Sequence, residues 1–209
     1  GLEVLRGTEA GLARVNKALA ERTSYKRGAT DFSSQMSRLK AAGCDLVVLG
    51  TVVRETIGAV ATSRALGFAP TFVATVAAYT DLIHRLGGPA MNGLYVTMAA
   101  AFPYADADSP EVRAWAARFK ERSGEHPNGA AALGWMMIDV FARAAGRAGP
   151  SLTTAGFLAA MDGLRYDDAL FGSPPQHWTA TRRLGSDASR LSRIVDGRWQ
   201  VVSEYLGSD

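Results

Sequence analysis

The sequence predicts an α/β fold built on a parallel sheet. Short apolar runs of strand length alternate with longer amphipathic segments at similar spacing along residues 30–98. Each amphipathic segment closes on glycine: Gly43, Gly67, and the pair Gly87-Gly88. Leu46 to Leu49 is uninterrupted apolar sequence, the pattern of a parallel strand covered on both faces. Strands alternating with helices imply right-handed crossovers.

In chain order, Leu2, Leu5, Leu12, Val15 and Leu19 keep an approximate helical spacing, so residues 1–22 read as a helix. Thr23 to Thr30 is polar. A helix follows, with Asp31 positioned to cap it and Phe32, Met36 and Leu39 on one apolar face. The strand at Leu46–Leu49 leads to a helix over Arg54–Leu66. The strand at Thr71–Ala74 leads to a short helix over Thr80–Leu86. The strand at Gly93–Met98 runs into alanine-rich coil. Ser109-Pro110-Glu111 starts a helix with proline in its first turn, and Val112, Trp115 and Phe119 share a face. Asn128–Ala148 is a more apolar helix carrying Trp135, Met136, Ile138, Val140 and Phe141. Residues 151–162 form another, with Ser151 as a cap and Leu152, Phe157 and Leu158 inward. No strand is read among these three helices, so their apolar faces lack a sheet to pack on. Phe171 to Pro175 is a turn. Leu191–Val195 and Arg198–Tyr205 form a hairpin through Asp196-Gly197.

Composition narrows the function. The 209 residues are 47% hydrophobic and 21% charged, which is a globular balance with room for one large or two small domains. A net charge of +3, with no basic run interleaved with aromatics, argues against nucleic acid as a partner. Cys44 is the single cysteine, so no internal disulfide forms, and its place before a strand suits a small buried hydrophobe. No segment approaches the ~18 apolar residues of a membrane span. The chain begins at Gly1 without an initiator Met or a signal peptide, as expected of a processed or trimmed product.

Catalysis has little support. His84, His126 and His177 lie on separate segments, and none has a partner at metal-ligand or triad spacing. His84 reads as a helix-surface residue. There is no nucleophile elbow and no phosphate loop, so neither an enzyme nor a cofactor is expected. Trp135, Met136 and Met137 read as core packing.

Several stretches together resemble one family. They are Asp31-Phe-Ser-Ser-Gln35, Leu39-Lys-Ala-Ala-Gly43, Asp45-Leu-Val-Val-Leu-Gly50, Ala65-Leu-Gly-Phe68, Leu86-Gly-Gly88, Gly93-Leu-Tyr-Val-Thr97 and Asp196-Gly-Arg-Trp199. Their order and spacing resemble the type I periplasmic solute-binding proteins, most closely the leucine/isoleucine/valine-binding branch that feeds branched-chain amino-acid ABC importers. The resemblance implies a type I periplasmic-binding-protein fold, with a Rossmann-like parallel sheet flanked by helices and ligand held between two lobes. It implies that residues 1–98 and 166–209 belong to the second lobe and that residues 103–163 are helices of the first. On this reading the two-lobe structure is incomplete, and the rest of the first lobe is missing or supplied by a partner chain.

The carboxyl ends of parallel strands are where ligands bind in such sheets, which points to Thr51, Val52, Val53 and Glu55. The resemblance places Glu55 against a ligand ammonium. Alternatively, Glu55 pairs with Arg54 or simply opens the next helix, where its charge suits the dipole. Thr51 either bonds a ligand or caps that helix. Val52 and Val53 depart from the glycine- and tyrosine-containing loop of branched-chain amino-acid binders. Thr75 and Tyr79 lie past the second strand, where the resemblance implies a further cleft-lining loop, and it implies that Phe102 lies at a crossing segment, where it faces the ligand or packs the hinge. The expected function is the periplasmic substrate-binding component of an ABC importer. It would bind a small amino acid or an aromatic or aliphatic carboxylate and present it to a membrane permease. A ligand-sensing regulatory or receptor domain of the same fold is the alternative, and an enzyme on a flavodoxin-like sheet is a distant third.

Overall fold

A computed structural model describes residues 1–207. The chain divides into two compact units. The first holds Gly1–Met98 and Leu191–Ser203; the second holds Ala99–Arg190 and, among the described residues, 204–207.

In the first unit the helices are α1 (Leu2–Arg14), α2 (Ser33–Ala41), α3 (Val53–Ala65) and α4 (Leu82–Gly87). The strands are β1 (Leu46–Leu49), β2 (Thr71–Ala74) and β3 (Tyr95–Met98). A mixed sheet runs in the order β1-β2-β3-β6-β7, where β6 is Arg190–Val195 and β7 is Arg198–Val201. β1 to β3 are parallel, and β6 and β7 are antiparallel. Asp196 (φ +49°) and Gly197 (φ +73°) join the last two strands. Two successive positive φ values are the backbone of a tight hairpin turn, and only small or amide-like residues adopt them cheaply.

Phe32, Met36 and Leu39 are buried as their spacing implies. The Phe32 ring packs so closely on α3 that a Cβ added at Gly58 would lie 2.9 Å from it. Asp31 Oδ1 accepts from the Ser33 N–H (2.9 Å), so it serves the first turn of α2 from one residue before the cap position, which Phe32 occupies. α1 is shorter than the predicted 1–22, because Asn16 turns to φ +53° just past the helix end. α1 has no buried residue. β1 is an edge strand whose Leu46 is 52% exposed and Val48 37%, while Val47 and Leu49 are buried. The expected cover on both faces is therefore absent among the described residues. His84, read as a helix-surface residue, is half-buried with its ring 6.3 Å edge-on from Trp199.

The second unit contains α5 (Pro110–Ser123), α6 (Gly129–Ala148) and α7 (Thr154–Met161), with a small antiparallel ribbon of β4 (Arg165–Tyr166) and β5 (Gln176–His177). Ser109 Oγ, Asn128 Oδ1 and Thr153 Oγ1 cap the three helices at 3.0–3.2 Å. Thr153 thus takes the role expected of Ser151. The core gathers around Trp115, with Val112, Ala116, Ala132 and Met136 from the helices and Tyr166 and Phe171 from the segment after them. Residues 166–190 were expected with the sheet. They group with the helices because the Phe171 ring meets Trp115 edge-on at 4.9 Å. Trp135 (46%), Met137 (70%), Ile138 (67%) and Phe141 (50%) remain exposed, so the expected core patch at 135–137 is buried only at Met136.

Burial separates these residues energetically. Trp115→Ala should cost about 3–5 kcal/mol in denaturant unfolding followed in the second unit. Met137→Ala should stay within about 0.5 kcal/mol. Equal losses would contradict the assignment of Trp115 to the core.

Candidate functional site

The in-register pairing of β1 with β2 ends at Leu49 opposite Ala74. Gly50 and Thr75 therefore leave the sheet side by side, and the turns they begin form one carboxyl-end rim. Thr51, Val52, Val53 and Glu55 lie on the first turn, which leads into α3.

Glu55 sits in the first turn of α3 and is 3% exposed. Its Oε1 accepts the backbone N–H of Gly28 (3.1 Å), while Oε2 is buried with no hydrogen-bond partner. No ion pair with Arg54 forms among the described residues. The Gly28 N–H and then its own backbone N–H hold the Glu55 carboxyl below its ordinary pKa, outweighing burial, which acts the other way; Arg54 and Arg27 contribute less. The segment before α2 thus lies against Glu55. Gly28 (φ +84°) turns the chain there, and Tyr25 packs edge-on against Phe32 at 5.6 Å.

Thr51 is 6% exposed, and its Oγ1 is 2.6 Å from Thr56 Oγ1. Thr56 donates its own hydroxyl proton to the Val52 carbonyl (2.9 Å). The proton between the two threonines therefore comes from Thr51, which keeps only lone pairs for anything else. Val52 takes the N-cap position of α3 in extended backbone and is 38% exposed, and Val53 is half-buried. Thr75 occupies the corresponding place after β2, at the start of a 3-10 turn over Val76–Ala78.

Two further predicted residues pack against aromatic neighbours. Tyr79 is 9% exposed, with its ring 5.2 Å from Trp199, whose Nε1 donates to the Thr80 carbonyl at 3.0 Å. Phe102 belongs to the second unit, where its ring lies 4.6 Å from Tyr104. Sequence reasoning missed Gly28 and Thr56. Gly28 is a glycine in a polar loop 27 residues from its partner, and nothing local marks it; Thr56 lies one helical turn past Val52, a spacing at which a hydroxyl can reach back to a carbonyl. No group of His, Cys, Asp and Glu able to hold a metal occurs among the described residues. No described helix is long and apolar enough to cross a membrane.

The family model for periplasmic binding proteins matches residues 1–198. The chain belongs to this family. It has the type I periplasmic-binding-protein fold, and family members are solute-binding proteins of ABC importers. It is similar to a fatty acid ABC transporter substrate-binding protein from Thermomonospora curvata (18% identity, TM-score 0.83, 98% of this chain and 54% of that one). It is also similar to a branched-chain amino acid ABC transporter protein from Thermus thermophilus with bound valine (17%, 0.76, 95% and 55%). A third neighbour is a solute-binding protein from R. palustris in complex with benzoate (13%, 0.76, 98% and 56%). The chain thus spans a little over half the length of these structures. No curated protein matches it by sequence.

Because folding lowers the Glu55 pKa, the ionised carboxylate is the stabilising form. Its contribution is complete above the unfolded-state pKa and is lost as pH falls through the folded-state value. An NMR titration should place the Glu55 carboxyl midpoint below the usual ~4.3, with Gly28 amide protection declining through that midpoint. A midpoint at or above the usual value would break the Glu55–Gly28 assignment.

Proposed function

We propose that the chain is part of the substrate-binding component of an ABC importer, and that the rim after β1 and β2 recognises a ligand ammonium. The ligand is a small amino acid, or a related molecule with an apolar body and a carboxylate. The protein holds it between two lobes and delivers it to a membrane permease from the periplasm. The sheet-bearing unit is the second lobe, and the helices within 103–163 belong to the first, whose sheet these residues do not contain. Thr51, Val52, Val53, Glu55 and Thr75 line the second lobe's side. Tyr79 and Phe102 act through packing.

The observation that carries this reading is the acceptor-only character of the β1–α3 turn. Glu55 Oε2 is buried without a partner, and the Thr51 hydroxyl has its proton committed. A buried carboxylate oxygen without a donor is costly, and a ligand ammonium would satisfy it with a charge-assisted hydrogen bond. Exposed Val52 and Val76, the latter 52% exposed, supply apolar rim on the two turns. The neighbours that bind valine and benzoate show apolar bodies held on this fold. Oε1 keeps its hydrogen bond from Gly28, a bond to a charged acceptor of about 1.5–3 kcal/mol, and Oε2 is the oxygen offered to the ammonium.

Glu55→Gln preserves an acceptor for Gly28 and removes the charge. In calorimetry on the whole binding protein it should weaken amino-acid binding by about 1.5–3 kcal/mol and leave carboxylates lacking an amine nearly unchanged. Equal losses for both ligand classes would reduce Glu55 to a loop fastener. Heat only from sugars or polyamines would end the proposal.

A further inference from the structure

The chain passes between the two units at Met98–Ala99, Arg190–Leu191 and Ser203–Glu204. On the second unit's side, one side chain reaches all three passages. Tyr205 Oη donates to the Ala99 carbonyl (2.9 Å), beside the first, and to the Gly172 carbonyl. The Arg190 guanidinium, at the second, lies over the Tyr205 ring with Cζ 4.6 Å from its centroid. Tyr205 itself directly follows the third. Around it, Ala101 donates to Phe171 (2.8 Å), and Ser189 and Leu206 exchange backbone hydrogen bonds (3.0 and 2.8 Å). Burial raises the Tyr205 pKa, which keeps the phenol protonated as a donor.

The pairing of the second and third passages changes register at this point. In the first unit Val202 donates to the Leu191 carbonyl, and Leu191 donates to Ser203 Oγ at 2.8 Å. In the second unit Ser189 pairs with Leu206. Arg190 alone therefore spans on one strand what Ser203, Glu204 and Tyr205 span on the other, an enlarged β-bulge. Extra residues at a bulge give a strand slack and an added twist without disturbing the ladder beyond it.

We propose that Tyr205 is the fastener of a hinge. It binds the second unit's ends of all three passages into one anchor, so that relative movement of the units is taken up in the bulge at residues 203–205 and the bonds flanking Ala99 and Arg190. The inference rests on the reading that the units move against each other during binding, and it is indifferent to the ligand. Tyr205→Phe keeps the ring under Arg190 and removes the proton shared with Ala99 and Gly172. Tyr205→Ala removes both contacts.

The test is a ligand-free one, so a wrong ligand assignment cannot affect it. Spin labels at Arg64→Cys and Arg118→Cys in a Cys44→Ser background, one in each unit, report the inter-unit distance distribution. The distribution should broaden from the Tyr205 parent to Tyr205→Phe and further in Tyr205→Ala. Amides of Ala101, Ser189 and Leu206 should exchange about tenfold faster in Tyr205→Phe, the size of one lost hydrogen bond, with protection in α5 unchanged. An unchanged distance distribution in Tyr205→Ala would overturn the proposal. So would loss of protection throughout the second unit in Tyr205→Phe, which would mark Tyr205 as ordinary core.

Discussion

The parallel ladder between β1 and β2 is the constraint on which the candidate site depends. Leu46 faces Thr71 and Leu49 faces Ala74, so both strands end at the same level. A slip of one residue would bury Leu46 and Val48 and expose Val47 and Leu49, which now face the core. Parallel pairing also needs a crossover, and α3 supplies it with Thr56, Ala59, Val60 and Ser63 buried along one side. The same helix begins with the turn that carries Thr51 and Glu55. Packing of the crossover thus sets the position of the polar groups, and the chemistry of the rim follows from the register.

The chain satisfies carboxylates in two ways, at half-buried Asp168 and at buried Glu55. Asp168 accepts three backbone N–H groups, from Leu170, Phe171 and Ser173, at 2.9–3.1 Å, and uses both oxygens. That arrangement shapes a turn and leaves neither oxygen without a donor. Glu55 also draws on backbone donors, from Gly28 and from its own helix turn, yet leaves Oε2 without a partner. Backbone donors make the burial tolerable, because a carboxylate held by N–H groups remains charged without a cationic side chain. The unused oxygen is what separates Glu55 from Asp168.

Much of this was legible in the sequence, for identifiable reasons. The strand at 46–49 is an apolar run between Asp45 and Gly50, and the strand at 71–74 follows Pro70, so both stood out from their flanks. Asp196-Gly197 announced its hairpin because two positive φ values leave few alternatives. The helix start at Ser109-Pro110 followed from local chemistry, and Ser109 caps that helix. What escaped detection was non-local. The exposed face of β1 depends on what lies over the strand, and an apolar run carries no information about that. Gly28 meets Glu55 across 27 residues, and Tyr205 meets Ala99 across 106. Tyr205 was read as the end of a strand because its neighbours are β-formers. In the fold β7 stops at Val201, and the bulge turns Tyr205 toward other partners.

The second unit shows how an amphipathic pattern can exceed the burial available to it. Trp115 and Met136 are enclosed because Tyr166 and Phe171 return to close over the helices. A second stripe of α6, at Trp135, Ile138 and Phe141, stays largely exposed, although Trp135 meets Trp115 edge-on at 6.0 Å and Phe141 meets Phe157 at 5.1 Å. Side chains three residues apart on one helix form a continuous surface, so this is a patch rather than scattered exposure. The first unit carries the same signature at Leu46 and Val48, and along α1, which buries no residue. At ~25 cal/mol per Å² such surfaces represent several kcal/mol of unused driving force, comparable to the whole stability of a small domain. Both units are therefore patterned for more cover than the described residues provide. That excess falls on α6 in one unit and on the β1 edge in the other, where the apolar pattern outruns the packing of each unit.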